Sequence, residues 1–228
     1  MGWSAVSESA YELVLGDKNY SSWSLRPWLL MRMFDIPFAE INVDICNRGA
    51  RKRILEHSPS GKVPALKVGD LTIWDTLAIT EYLAEKHPEL AIWPKDGEAR
   101  AIARAVAAEM HSGFEHLRGE MPMDILGSKP VDEISVGVSR DTGRIVDIWR
   151  MCRASYGGDG PFLFGAFSAA DAMYAPVTSR FRTYGVALAE HGDDGTAKAY
   201  CETILSLDAI AEWSAGADEQ MAERGIAY

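Results

Sequence analysis

From Tyr11 to Asp44 the hydrophobic pattern changes period twice, and this alternation restricts the fold more than any other part of the 228-residue chain. Tyr11-Glu12-Leu13-Val14-Leu15 is a short apolar run closed by Gly16-Asp17, which reads as a buried strand. Leu25 to Phe34 carries its apolar residues at helical spacing, with Ser24 placed to cap it and Pro27 in the first turn. Proline costs little there, because first-turn N–H groups have no partner within the helix. Phe38 to Asp44 returns to strand character. Strand, helix and strand in so short a span predict a βαβ unit with parallel strands and a right-handed crossover. Ser21, Ser22 and Ser24 fall where the first strand gives way to the helix. A helix N-terminus presents free N–H groups and partial positive charge, so a hydroxyl there can donate to a thiolate or oxyanion. It can equally do no more than cap the helix, and the loop by itself fits both roles.

The pattern continues with a short charged helix over Asn47–His57 and a turn at Ser58-Pro59-Ser60-Gly61. Lys62–Val68 and Leu71–Trp74 flank Gly69-Asp70 and predict a β-hairpin. Asp75-Thr76 opens a helix that Lys86-His87-Pro88 ends. Beyond that point only helical spacing recurs. One helix is expected over Ala99–Leu117, another over Val131–Cys152, and two more over Thr196–Ser206 and Leu207–Glu223. Ser168-Ala169-Ala170-Asp171 resembles a capping box with Asp as its acid, opening a helix that contains Pro176. The expected fold class is α/β followed by all-α, with an α/β domain over residues 1–87, a linker over 88–97 and a helical domain over 98–228. Residues 1–10 read as a loose lead-in.

Composition narrows the function. A formal charge of −10 argues against nucleic acid as a partner. No apolar run approaches the length of a membrane span, and the start of the chain lacks a secretory pattern. Cys46, Cys152 and Cys201 are widely spaced, and neither they nor the five histidines show metal-ligand spacing. Reduced, buried thiols in the cytoplasm are the expectation, with no metal. Arg48, Arg51, Lys52, Arg53 and Lys62 form a basic cluster that suits a small anion or a solvated helix face.

The order of elements, together with four motifs, resembles the glutathione transferase superfamily, in which a thioredoxin-like domain precedes a helical one. Ser21-Ser22-Trp23-Ser24 is similar to the serine loop of the serine-type classes, notably the zeta or maleylacetoacetate isomerase-like class. Lys62-Val63-Pro64 resembles the segment whose Val-Pro bond is cis in this superfamily. Asp75-Thr76 stands where the family has Glu or Gln followed by Ser, and Phe167–Asp171 resembles the box that opens its sixth helix. The likeness covers nearly the whole chain.

The resemblance implies that glutathione is the co-substrate and that the chain forms a homodimer. Val63 and Pro64 would pair with the cysteinyl unit, Asp75 and Thr76 would grip the γ-glutamyl end, and Lys62 would reach the glycine carboxylate. Ser21, or failing it Ser22, would donate to the glutathione thiolate. A thiol of pKa about 8.5 is only slightly ionised at neutral pH, and lowering it by about two units takes roughly 2.7 kcal/mol of preferential thiolate binding. One hydroxyl hydrogen bond plus a helix N-terminus is of that order.

Trp23 departs from the zeta pattern by replacing a cysteine, which speaks against thiol–disulfide exchange in this loop. Met110, His111, Phe114 and Met121 are candidates for lining the second-substrate cleft, although such a stripe also suits a core. Arg180 and Arg182 lie near the place where zeta-like isomerases bring an arginine to a substrate carboxylate, and neither is assigned. The expected reaction is attack of the thiolate on a small hydrophobic electrophile. The alternatives are glutathione-dependent cis–trans isomerisation of maleylacetoacetate, and a non-catalytic ligand-binding or interaction module on the same fold.

Overall fold

A computed structural model describes residues 11–226; the lead-in expected over residues 1–10 lies outside the described residues. The first part runs β1 (Glu12–Leu15), α1 (Ser22–Met33), β2 (Ala39–Asn42), α2 (Ala50–Leu55), β3 (Ala65–Val68), β4 (Leu71–Trp74) and α3 (Thr76–Lys86). Its sheet has the order β2-β1-β3-β4, with β1 parallel to β2 and antiparallel to β3, and β3 antiparallel to β4. The predicted βαβ unit and hairpin are both present. Gly69 takes the left-handed conformation that the tight β3–β4 turn requires.

The second part is helical: α4 (Gly97–Ser112), α5 (Glu115–Glu120), α6 (Val136–Tyr156), α7 (Ala169–Tyr184), a 3₁₀ turn (Leu188–His191), α8 (Thr196–Leu205) and α9 (Asp208–Glu223). The single helix expected over Ala99–Leu117 is broken. Gly113 is extended and Phe114 left-handed, so the chain turns sharply between α4 and α5. A side chain at Gly113 would come within 2.8 Å of the Glu109 carbonyl oxygen. The break therefore depends on that glycine.

α1 begins earlier than the sequence suggests. Ser21, not Ser24, is the N-cap, and Pro27 lies inside the helix rather than in its first turn. Proline has no N–H to give the carbonyl four residues back, which is that of Trp23. The Thr76 hydroxyl, from the start of α3, donates to that carbonyl at 3.4 Å. Ser24 takes up a different task. Its Oγ accepts from the Gly16 N–H at 3.0 Å and from the Ser21 hydroxyl at 2.8 Å, tying the end of β1 to the first turn of α1.

One continuous apolar cluster joins the two parts, and Trp28 of α1 meets Trp213 of α9 edge to face. The Trp213 indole N–H donates to the Lys18 carbonyl at 2.7 Å, fastening α9 to the loop before α1. α7 is the central helix: every residue in it except Arg182 is buried. Its capping box is complete, with Asp171 accepting from the Ser168 N–H at 2.8 Å.

Candidate functional site

A cleft of about 510 Å³ opens where the α/β part meets α4 and α5. Lys62, Val63, Pro64, Asp75 and Thr76, which lie on separate segments of the sequence, all line it. The Val63–Pro64 peptide bond is cis and precedes β3, so Val63 stands outside the strand pairing that begins at Ala65. Asp75 has φ +77°, an uncommon conformation for a side chain-bearing residue, and caps α3 by accepting from the Leu77 N–H at 2.9 Å. Thr76, the first residue of α3, is buried. Trp23, His111 and Arg118 complete the lining with Ser60 and Trp74.

The two serines are close to this cleft in sequence and covered in space. Ser21 and Ser22 are both buried, and neither lines the cleft. The Ser21 hydroxyl donates to Ser24, as above, while Ser22 Oγ accepts from Arg180 Nη2 at 3.1 Å. Both sit at the N-terminus of α1, where backbone N–H groups favour an anion.

Of the four residues expected to line the second-substrate side, only His111 does so. Met110, at the end of α4, and Phe114 and Met121, at the two ends of α5, are buried in the core instead. Arg180 and Arg182 are separated by their positions on α7. Arg180 is buried and reaches the Met121 carbonyl and Ser22. Arg182 points the other way and donates to the Ile125 carbonyl. Cys152 and Cys201 are buried as expected, whereas Cys46 is exposed.

Arg26 and Arg118 are the residues that the sequence did not announce. Arg26 is buried, donating to the carbonyls of Met173 at 2.9 Å and Ser22 at 3.0 Å, with its Nη2 unpaired. The Trp23 ring lies 4.2 Å from the Arg26 guanidinium and 5.1 Å from that of Arg118, and the His111 ring meets its edge. Burial, then the neighbouring Arg180 and Arg118, hold the Arg26 pKa well below its ordinary value. Burial, then Arg118, bring that of Arg180 down to about 10. Among the described residues none of the three has a carboxylate at ion-pair distance, so positive charge gathers uncompensated around Trp23 and Ser22.

Known proteins share this chain's fold and parts of its sequence. The chain is 34% identical over 108 residues to a probable maleylacetoacetate isomerase of Caenorhabditis elegans, covering 47% of this chain and half of that protein. It is 28% identical over 183 residues to glutathione S-transferase F13 of Arabidopsis thaliana, covering 71% of this chain and 76% of that one. The fold matches a Burkholderia glutathione transferase homologue solved with bound glutathione, at a TM-score of 0.69 and 20% identity over 92% of this chain and 98% of that one. It also matches a bacterial zeta-class maleyl pyruvate isomerase, at a TM-score of 0.63 and 21% identity over 89% and 95% of the two chains. The family model described as "Glutathione S-transferase, N-terminal domain" matches residues 20–86, and "Glutathione S-transferase, C-terminal domain" matches residues 100–216. With both halves accounted for, the chain belongs to the glutathione S-transferase family.

Proposed function

We propose that the cleft binds glutathione and that the protein is a serine-type glutathione transferase. The observation that carries this reading is the convergence of Val63, Asp75 and Thr76 on one cleft from two separate segments. Val63 offers backbone groups outside the sheet pairing, suited to the cysteinyl unit. Asp75 and Thr76 begin a helix, where a carboxylate side chain suits the γ-glutamyl ammonium and free N–H groups suit its carboxylate. Lys62 would take the glycine carboxylate. The bound thiol would lie toward the N-terminus of α1, where the Ser21 or Ser22 hydroxyl donates to the thiolate and attack on the electrophile follows. The serine keeps its proton and is not a nucleophile.

The isomerase reading has an observation of its own. Arg118 lines the cleft beside Trp23, with Arg26 also against the Trp23 ring and Arg180 on Ser22. Uncompensated guanidinium charge favours an electrophile that carries a carboxylate, as a maleylacetoacetate-type substrate does. A homodimer in the cytoplasm completes the proposal. The free cysteines suit a reducing compartment, and sedimentation would test the assembly.

The deciding experiment is calorimetric titration of glutathione into the wild type, Ser21→Ala and Ser22→Ala, with the thiol pKa followed by thiolate absorbance. Saturable binding and a thiol pKa lowered by a unit or more in the wild type, lost in one serine variant, support the transferase. No saturable binding into the millimolar range would remove the catalytic reading and leave the interaction module.

A further inference from the structure

We propose that His111 is a positioning residue for glutathione, holding the Asp75 carboxylate in the orientation that receives the γ-glutamyl ammonium. The proposal rests on the glutathione reading above and deepens it.

His111 Nε2 lies 2.7 Å from Asp75 Oδ2, and both residues line the cleft. An ionised carboxylate only accepts, so the imidazole must be the donor. The other oxygen, Oδ1, is used to cap α3 through the Leu77 N–H. Each carboxylate oxygen has two lone pairs, so Oδ2 keeps one for a further donor while His111 holds it. Oδ1 also accepts from the Ala78 N–H, but only at 3.5 Å, so the short Asp side chain sits beside a helix-end donor that its second oxygen could take more closely. Without His111 it can turn both oxygens onto the helix end. The bond to α4 keeps one oxygen out.

His111 is itself held from several directions. It lies in the last turn of α4, immediately before the break at Gly113 and Phe114 that fixes where the helix stops. Arg118 Nη1 donates to the Gly113 carbonyl at 2.8 Å and reaches the His111 carbonyl at 3.4 Å. The His111 ring meets the Trp23 edge with centroids 5.3 Å apart. A residue of the helical half, oriented by α1 and α5, thus sets a side chain of the α/β half. It links the side of the cleft that receives the electrophile to the side that receives the peptide.

The test compares glutathione with its deaminated analogue, glutaryl-cysteinyl-glycine, which lacks only the ammonium. His111→Ala is expected to bind glutathione about tenfold more weakly, seen in Kd and in KM rather than kcat. The analogue should bind wild type and variant alike. His111→Gln, which restores an N–H donor of similar reach, should recover part of the loss, and Asp75→Asn with His111→Ala should be no weaker than Asp75→Asn alone. Equal losses for glutathione and the analogue would mean a purely structural role and would overturn the proposal. So would unchanged glutathione binding in His111→Ala. If the wild type itself fails to bind glutathione, the function proposed above falls and this proposal falls with it, an outcome separate from the other two.

Discussion

Replacing Asp171 with alanine tests whether the helix that carries Arg180 to Ser22 is anchored by one carboxylate. Asp171 is buried and accepts four hydrogen bonds: from the N–H groups of Leu163 at 3.0 Å and Ser168 at 2.8 Å, and from the hydroxyls of Ser168 at 3.0 Å and Tyr200 at 3.1 Å. The Ser168 hydroxyl can turn to another acceptor, but the other three donors are left in the core without one. At about 1–3 kcal/mol for each orphaned group, the gross loss is about 5 kcal/mol. A relief works against it. Burial pushes the Asp171 pKa up to about 6 in spite of its four donors, so near neutrality the ion is held at a cost. The rise of about two units above an ordinary aspartate corresponds to roughly 3 kcal/mol. The net loss at pH 7.5 is therefore about 2–3 kcal/mol, or a Tm lower by about 5–10 °C for a chain of this size.

The pH dependence gives an independent check. The folded-state pKa lies above the unfolded value, so the folded protein binds the proton more tightly. This contribution to stability is complete below the unfolded pKa and is lost as pH rises through about 6. Between pH 7.5 and pH 5.0 wild type should gain about 1.4 kcal/mol from this group, and Asp171→Asn should gain none of it. Urea unfolding at the two pH values measures both quantities. A variant within about 0.5 kcal/mol of wild type, or the same pH slope in wild type and Asp171→Asn, would refute the account.

Two further outcomes follow from the site. With glutathione saturating, so that any loosening of His111 is not read, Arg118→Ala should lower kcat/KM for a carboxylate-bearing electrophile at least about tenfold more than that for a neutral aryl halide; equal loss on both would remove the case for a carboxylate substrate. Thr76→Val keeps the shape of the side chain and removes the donor to the Trp23 carbonyl, which Pro27 leaves without its helical partner. About 1 kcal/mol of stability and 2–4 °C in Tm should be lost by calorimetry.

What could be read from the sequence followed from local pattern. The βαβ period change, the Gly69 turn, the Asp75 cap and the Ser168–Asp171 box each depend on a few neighbouring residues, and each is in the structure. Local rules put Pro27 in a first turn, whereas in the structure its cost inside α1 is met from outside, by Thr76 some fifty positions along the chain. The Gly113 break was hidden because Met110 and Leu117 keep helical spacing across it and are both buried. In the sequence Arg26 marks no site, and Arg180 is only one of two arginines near the family's substrate-carboxylate position. Nothing local shows that folding buries both and brings Arg118 up beside them. Side chains that act across the meeting of the two halves are set by tertiary packing, and most of the electrophile side of the cleft is of that kind.

The resemblance ranks Ser21 ahead of Ser22 as the thiolate donor, and the directions of the two hydroxyl hydrogens favour the reverse order. The Ser21 hydroxyl is spent on Ser24, whose oxygen is also fixed by the Gly16 N–H. Turning Ser21 toward a thiolate costs that bond. Ser22 is in the opposite situation. Its oxygen accepts from the Arg180 guanidinium, which polarises the hydroxyl and leaves its own hydrogen to be given away. The cations around it favour a thiolate over a thiol as well, since nearby positive charge lowers a thiol's pKa. Ser22→Ala should therefore erase more of the pKa drop of bound glutathione than Ser21→Ala, and Arg180→Lys should weaken it while leaving binding of the peptide itself within about threefold. If Ser21→Ala alone raises the bound thiol back to its free pKa, the donor is Ser21. Glutathione must then pull that hydroxyl off Ser24 as it binds.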